Sequence, residues 1–264
     1  MTAIALTAAD KLFANGVRAL QPVTLAVEEG EFVTIVGPSG CGKSTLLRLV
    51  AALTEPTTGR VGLWPGAPAA FQADRRRLAF VFQSAMLLAW ADVEKNVRLP
   101  FDLGHARAAD RELAAARVNR ALAVVGLEEF RRAYPRELSG GMQMRVSIAR
   151  ALVTQPALLL MDEPFAALDE ITRLRLDREL AELWVRERLT VLFVTHSIFE
   201  AVFLSTRVLV MSARPGRIVG EVAIDEPQPR AESFRLSTAF AGYCARLSQM
   251  LATGMEPTAE SAAA

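Results

Sequence analysis

EFVTIVGPSGCGKST, residues 31–45, passes from an apolar, β-branched run through clustered glycines into a segment of helical spacing. Residues 31–36 read as a buried strand. Leu46, Leu49, Val50 and Leu53 then share one face of a helix that begins at Lys43. Between the two stands G-x-x-x-x-G-K-S, and strand, glycine turn and helix in that order make a phosphate-binding loop. Its candidate residues are Gly37, Pro38, Ser39, Gly40, Cys41, Gly42, Lys43, Ser44 and Thr45. Glycines let successive N–H groups point into one concavity that wraps a polyphosphate. The helix start adds partial positive charge, and Lys43 adds a full one. Ser44 offers a hydroxyl to the Mg2+ that accompanies a nucleoside triphosphate.

Two further strand ends follow the same logic. Residues 157–161 (ALLLM) form an uninterrupted apolar run, as in a parallel strand buried on both faces. It ends in Asp162-Glu163, two carboxylates at the strand tip where ligands of open parallel sheets sit. Asp162 suits Mg2+, directly or through water, and Glu163 suits a general base that polarises an attacking water. Residues 190–195 (TVLFVT) read as a third strand, and His196 follows it directly. A lone histidine is commonly structural. At a strand tip this one has a second reading, as a hydrogen-bond partner of the γ-phosphate or of the attacking water. His105 lies in a polar stretch and reads as a surface residue.

The next segment is of another kind. Residues 138–143 (LSGGMQ) follow Tyr134-Pro135 and open a helix on which Met142, Val146, Ala149 and Val153 share a face. Ser139 is a natural N-cap, and the glycines expose the first free N–H groups, which makes a second anion-binding helix start. With these residues the chain resembles the ATP-binding cassette (ABC) ATPases, of which LSGG is a family motif. The resemblance runs from about Leu6 to Ile224, with the motifs in family order. It implies an α/β fold: a P-loop NTPase (RecA-like) core with a mixed sheet and an inserted α-helical subdomain.

The resemblance also implies further roles. ATP and Mg2+ become the expected cofactors. Ser139, Gly140, Gly141 and Gln143 would belong to the nucleotide site, as would Phe13, matching the aromatic that stacks on adenine. The alternative for Phe13 is a core position near an edge strand. Gln83, just after the strand-like residues 78–82, matches a glutamine that senses Mg2+ and the γ-phosphate. Ala167-Leu168-Asp169 matches a loop that crosses a dimer seam. Ser197 stands where aspartate is commoner. The implied assembly is a homodimer with shared ATP sites.

A net charge of +1 leaves no broad basic field, so nucleic acid is not an expected partner. The Arg75-Arg76-Arg77 run is too short to alter that. Two cysteines make no disulfide framework, and Cys41 lies inside the phosphate loop, which points to a reducing cytoplasm. The first residues lack the charged start and apolar core of a secretory signal. No segment approaches the roughly 18 apolar residues that span a bilayer. A transport ATPase of this kind would need another chain for the pore.

The organisation reads as one ABC ATPase domain. Residues 1–83 and 155–225 form the nucleotide-binding core, and 84–154 a helical subdomain ending in the LSGGMQ helix. Residues 226–264 form a C-terminal helical tail whose end is disordered. One inserted helix spans about Asp110 to Val125, stopped by Gly126. Leu176, Leu180 and Leu183 line another, and residues 212–217 (SARPGR) turn a hairpin. The absence of a long coiled-coil insertion or second cassette argues against DNA-repair and translation members, leaving a non-transport ABC ATPase as the weaker alternative. Residues 84–97 (SAMLLAWADVEKNV) resemble an importer-type LLPW…NV string, with Ala89 in place of proline. Met86, Leu87, Leu88 and Trp90 either dock a permease helix or belong to the core.

The strings at 164–173, 195–207 and 212–218 are similar to nitrate, sulfonate and taurine importers. This implies an ATPase at the cytoplasmic face of the inner membrane, peripheral to a permease and served indirectly by a solute-binding protein. Pyrimidine and vitamin-precursor importers share the same ATPase type.

Overall fold

A computed structural model describes residues 1–67, 77–105, 108–166 and 168–254, with only the backbone described at 104–105 and 108–112. Arg75, Arg76, Ala167, the side chain of His105 and the alanine-rich end therefore lie outside the described residues. Nine strands form two sheets there. β1 (Thr2–Leu12), β2 (Arg18–Glu28) and β4 (Arg60–Leu63) make an antiparallel sheet in the order β2-β1-β4. β3 (Phe32–Val36), β5 (Leu78–Val81), β6 (Leu158–Asp162), β7 (Thr190–Thr195), β8 (Arg207–Met211) and β9 (Ile218–Ala223) make the larger one. Its order is β5-β6-β7-β3-β8-β9, parallel except for the last, antiparallel pair.

The larger sheet divides two cores, and its pleat sends alternate residues to each. From β3, Phe32 and Val36 enter one core while Val33 and Ile35 enter the other. β7 splits likewise, with Val191 and Phe193 on one side and Leu192 and Val194 on the other. Strands buried on both faces read as near-continuous apolar runs, which is why these segments are apolar but for Thr34, Thr190 and Thr195. One face carries the antiparallel sheet and α1 (Lys43–Val50), which contributes Leu46, Leu47, Leu49 and Val50. The other carries α2 (Val93–Pro100), α3 (Ala108–Val124), α4 (Gly140–Leu152), α5 (Glu170–Glu187), α6 (Ile198–Leu204) and α7 (Thr238–Gly254).

Between β5 and β6 the described residues hold helices and no strand. Side chains of that segment, among them Val97, Leu122 and Val146, pack into the same core as Phe193. Gly126, with φ +64°, ends the stretch after α3 as its freedom at positive φ suggests. The first helix is shorter than its spacing implies: it closes at Val50, and Ala52 at φ 53° turns the chain before Leu53.

Candidate active site

β3, β6 and β7 are neighbours and parallel, so their carboxyl ends lie side by side. Val36 pairs with Thr195 and Asp162 with Val194, which brings the ends of all three strands level. From β3 the chain enters the glycine loop. Gly42 takes φ +111°, and a Cβ there would stand 2.7 Å from both the Ala19 carbonyl and Leu20 Cδ2. Only glycine meets both demands. Gly42 also brings no side-chain cap to α1, whereas α2, α4, α5 and α6 are capped by Asp92, Ser139, Asp169 and Ser197. The first N–H groups of α1 are thus left for an anion.

Lys43 is buried, and its ammonium donates to the carbonyls of Gly37 at 2.8 Å and Pro38 at 3.0 Å. It also lies 3.5 Å from Glu163 Oε1. Ser44 Oγ donates to Asp162 Oδ1 at 2.8 Å. Burial pushes the Asp162 carboxyl up, against the pull of the Ser44 hydroxyl and the Lys43 and Arg48 charges. Glu163, the first residue past β6, sits at φ 45°, a left-handed conformation that costs a non-glycine residue about 1–3 kcal/mol. The turn is held by its N–H donating to the Val194 carbonyl at 2.9 Å. It aims the carboxylate between Lys43 and His196, whose Nδ1 lies 3.3 Å from Glu163 Oε2. A cation, a hydroxyl and a carboxylate of the kind that suits Mg2+, a second carboxylate and an imidazole thus converge on the mouth of the glycine loop.

The other expected residues lie on other elements. Gln83 is exposed two residues beyond β5. Phe13 is 39% exposed at the tip of the β1–β2 turn, with Lys11 Nζ 5.5 Å above its ring, so it is not a core residue. Ser139 caps α4 by accepting from the Met142 N–H at 3.3 Å, and Ser139 and Gly140 are exposed. A Cβ at Gly140 would meet open space, and one at Gly141 would meet Thr172 and Leu168. Gln143 turns its amide inward, donating to the carbonyls of Pro135 at 3.0 Å and Leu138 at 3.3 Å. Ser197 accepts from the Glu200 N–H at 3.3 Å, so it caps α6 as an aspartate would.

The spacing of motifs does not reveal the support beneath the loop. The turn between β8 and β9 lies against it: Arg214 Nε donates to the Gly40 carbonyl at 3.1 Å, and Gly216 bonds to Ala19 and Gln21. A Cβ on Gly216 would fall 2.0 Å from the Cys41 carbonyl. No local pattern announces this contact across such a separation; the glycine alone reads as part of a hairpin.

A protein-family model described as ABC transporter matches residues 20–166. An uncharacterized ABC transporter ATP-binding protein of Methanocaldococcus jannaschii is 50% identical over 82% of this chain and 79% of its own. The aliphatic sulfonates import ATP-binding protein SsuB of Bacillus licheniformis is 40% identical, covering 85% of this chain and 86% of that protein. A solved dimer of an ATP-binding cassette in a post-hydrolysis state, bound to ADP and Pi, matches with a TM-score of 0.71 and 33% identity, covering 85% of this chain and 100% of that one. Sheet order, motif order and these likenesses agree, and the chain belongs to the ABC transporter family as one of its ATP-hydrolysing cassettes.

Proposed function

We propose that this cassette is the ATP-hydrolysing subunit of a bacterial importer, working as a homodimer on the cytoplasmic face of a membrane permease. A separate binding protein would deliver a small anion of the nitrate, sulfonate or taurine type. The observation that carries the docking is the loop at 84–92. Trp90 is 77% and Met86 64% exposed, yet the backbone beneath them is tightly held. Arg150 donates to the carbonyls of Ala85 and Met86 at 2.8 Å each. Asn96, fully buried, accepts from the Leu88 N–H and donates to the carbonyls of Leu88, Ala91 and Asp92. A rigid loop presenting an uncovered tryptophan suits a partner helix, since ordering entropy is already spent. Sulfonate import by the SsuB relative supports the anion class.

In this reading the backbone N–H groups of residues 37–45 and Lys43 bind the ATP phosphates, and Phe13 stacks on adenine. Ser44 and Asp162 fit Mg2+, being hard oxygen donors already 2.8 Å apart. Bound there, the ion would neutralise phosphate charge. Glu163 accepts the proton of the attacking water, and His196 and Gln83 orient the γ-phosphate. Ser139, Gly140 and Gly141 of a second copy cover its open side, with Gln143 bracing the turn before their helix.

The test is Trp90→Ala in the complex reconstituted with its permease. Basal ATPase of the isolated subunit should be retained while transport-coupled hydrolysis falls, since truncating a buried interface tryptophan costs about 2 kcal/mol or more of binding. An unfolded W90A subunit, or full coupling in the complex, would refute docking at this loop. Screening sulfonates, nitrate and pyrimidines on the cognate binding protein tests the anion class.

A further inference from the structure

Past β9 the chain runs back over α5 and α6, and the short 3-10 turn Glu232–Leu236 plants Arg235 between them. Arg235 Nη2 donates to Asp177 Oδ2 at 2.7 Å, and its guanidinium lies 3.8 Å from the centroid of the Phe203 ring. Asp177, on α5, is 1% exposed. One turn earlier on α5, Arg173 Nε lies 3.7 Å from Glu200 Oε1 on α6. Glu200 is buried too, and its other oxygen accepts from Thr195 Oγ1 at 2.5 Å. Thr195 Oγ1 in turn accepts from the Ser197 N–H at 3.0 Å. His196 is therefore bracketed by two residues that this buried cluster fixes.

The cluster holds two carboxylates and two guanidinium groups, and its balance is delicate. Burial and the nearby Glu200 charge push Asp177 up to about 7, with Arg235 and Arg173 pulling the other way. Burial raises Glu200 as well. Arg173 pairs first with the exposed Glu170 and feels Glu200 and Asp177 beyond it, so removing Arg235 leaves Arg173 as the remaining guanidinium that acts on both buried carboxylates. Buried ion clusters are a poor way to gain stability, and their better-attested use is to select one geometry.

We propose that Arg235, supplied by the segment C-terminal to the sheet, is a positioning residue for ATP hydrolysis. By pairing with Asp177 Oδ2 it keeps Arg173 from being drawn off Glu200 and leaves Glu200 on Thr195, and so keeps His196 within reach of Glu163. The proposal rests on the reading of His196 as a contact of the γ-phosphate. It makes the rate of the chemical step depend on a segment that touches neither nucleotide nor phosphate loop.

The experiment compares Arg235→Ala, Arg235→Lys and Asp177→Asn in the full-length chain, each alone and combined with His196→Ala. Thermal stability, nucleotide affinity and steady-state turnover are measured for all. R235A should lower kcat roughly tenfold with nucleotide affinity unchanged, and R235K should recover part of the loss. In the H196A background R235A should cost nothing further, because the two act through one step. The proposal falls if R235A turns over normally, or if its loss repeats in full on top of H196A. It falls also if all three single variants fail to fold, since the cluster is then a structural brace alone. If H196A itself hydrolyses ATP at the wild-type rate, the reading of His196 fails and takes this proposal with it; a slow H196A beside a normal R235A overturns only the role of Arg235.

Discussion

Glu163 takes a strained backbone at the end of β6 and is held there by a bond to β7, so its carboxylate is aimed before any nucleotide arrives. Preorganisation of this kind favours a chemical rather than a binding role. Glu163→Gln keeps the shape and removes the basicity, so hydrolysis should fall about 10²-fold or more while ATP affinity stays near normal. Lys43→Ala should instead weaken nucleotide binding itself. Separate measurement of affinity and turnover checks both, and an E163Q protein with near-normal turnover would remove Glu163 as the base. At this scale the cluster of Lys43, Ser44, Asp162, Glu163 and His196 was legible, because each residue follows a strand that announces itself by an apolar run. Gly216 and Arg235 were not. Their partners, Cys41 and Asp177, lie far off in sequence, and neither neighbourhood carries a periodic pattern.

At the level of elements, the loop at 84–92 shows how a segment without regular structure can still be rigid. Asn96 satisfies one N–H and three carbonyls from the first turn of α2. Asn96→Ala takes the side-chain bond from the Leu88 N–H and the Ala91 carbonyl, while backbone N–H groups still reach the carbonyls of Leu88 and Asp92, and should cost about 1–3 kcal/mol in a denaturant titration. W90A, at an exposed site, should leave the unfolding free energy within about 0.5 kcal/mol of wild type. Equal losses in the two variants would show that Trp90 packs against the fold. The parallel strands were readable from their apolar runs and the longer helices from period and caps, but the short helices α2 and α6 and the antiparallel sheet were not. β1 is interrupted by register shifts near Leu6 and Ala9, so its buried positions lose the alternation that marks a half-buried strand. β2 does alternate at Val23, Leu25 and Val27, and that is the signal through which the sheet could have been found.

For the whole molecule, the phosphate loop and the exposed Ser139 helix start sit on opposite sides of the inserted helices in sequence, and Gly140 faces open space. A head-to-tail pair would let each complete the other's site, with a two-fold axis making both equivalent. K43A and S139A subunits are each expected to be inactive alone, and mixing them should restore one intact site per heterodimer. A cross-linked heterodimer without recovered ATPase would count against shared sites. The central place of β3 carries a different consequence, one for biosynthesis. Its neighbours β7 and β8, and the 212–217 turn beneath its loop, are all made long after the loop itself. At about 5–20 residues per second, roughly 10–30 s of translation separate the glycines from their support. On the ribosome the glycine loop therefore waits, through most of synthesis, for the strands and the turn that flank it in the finished fold.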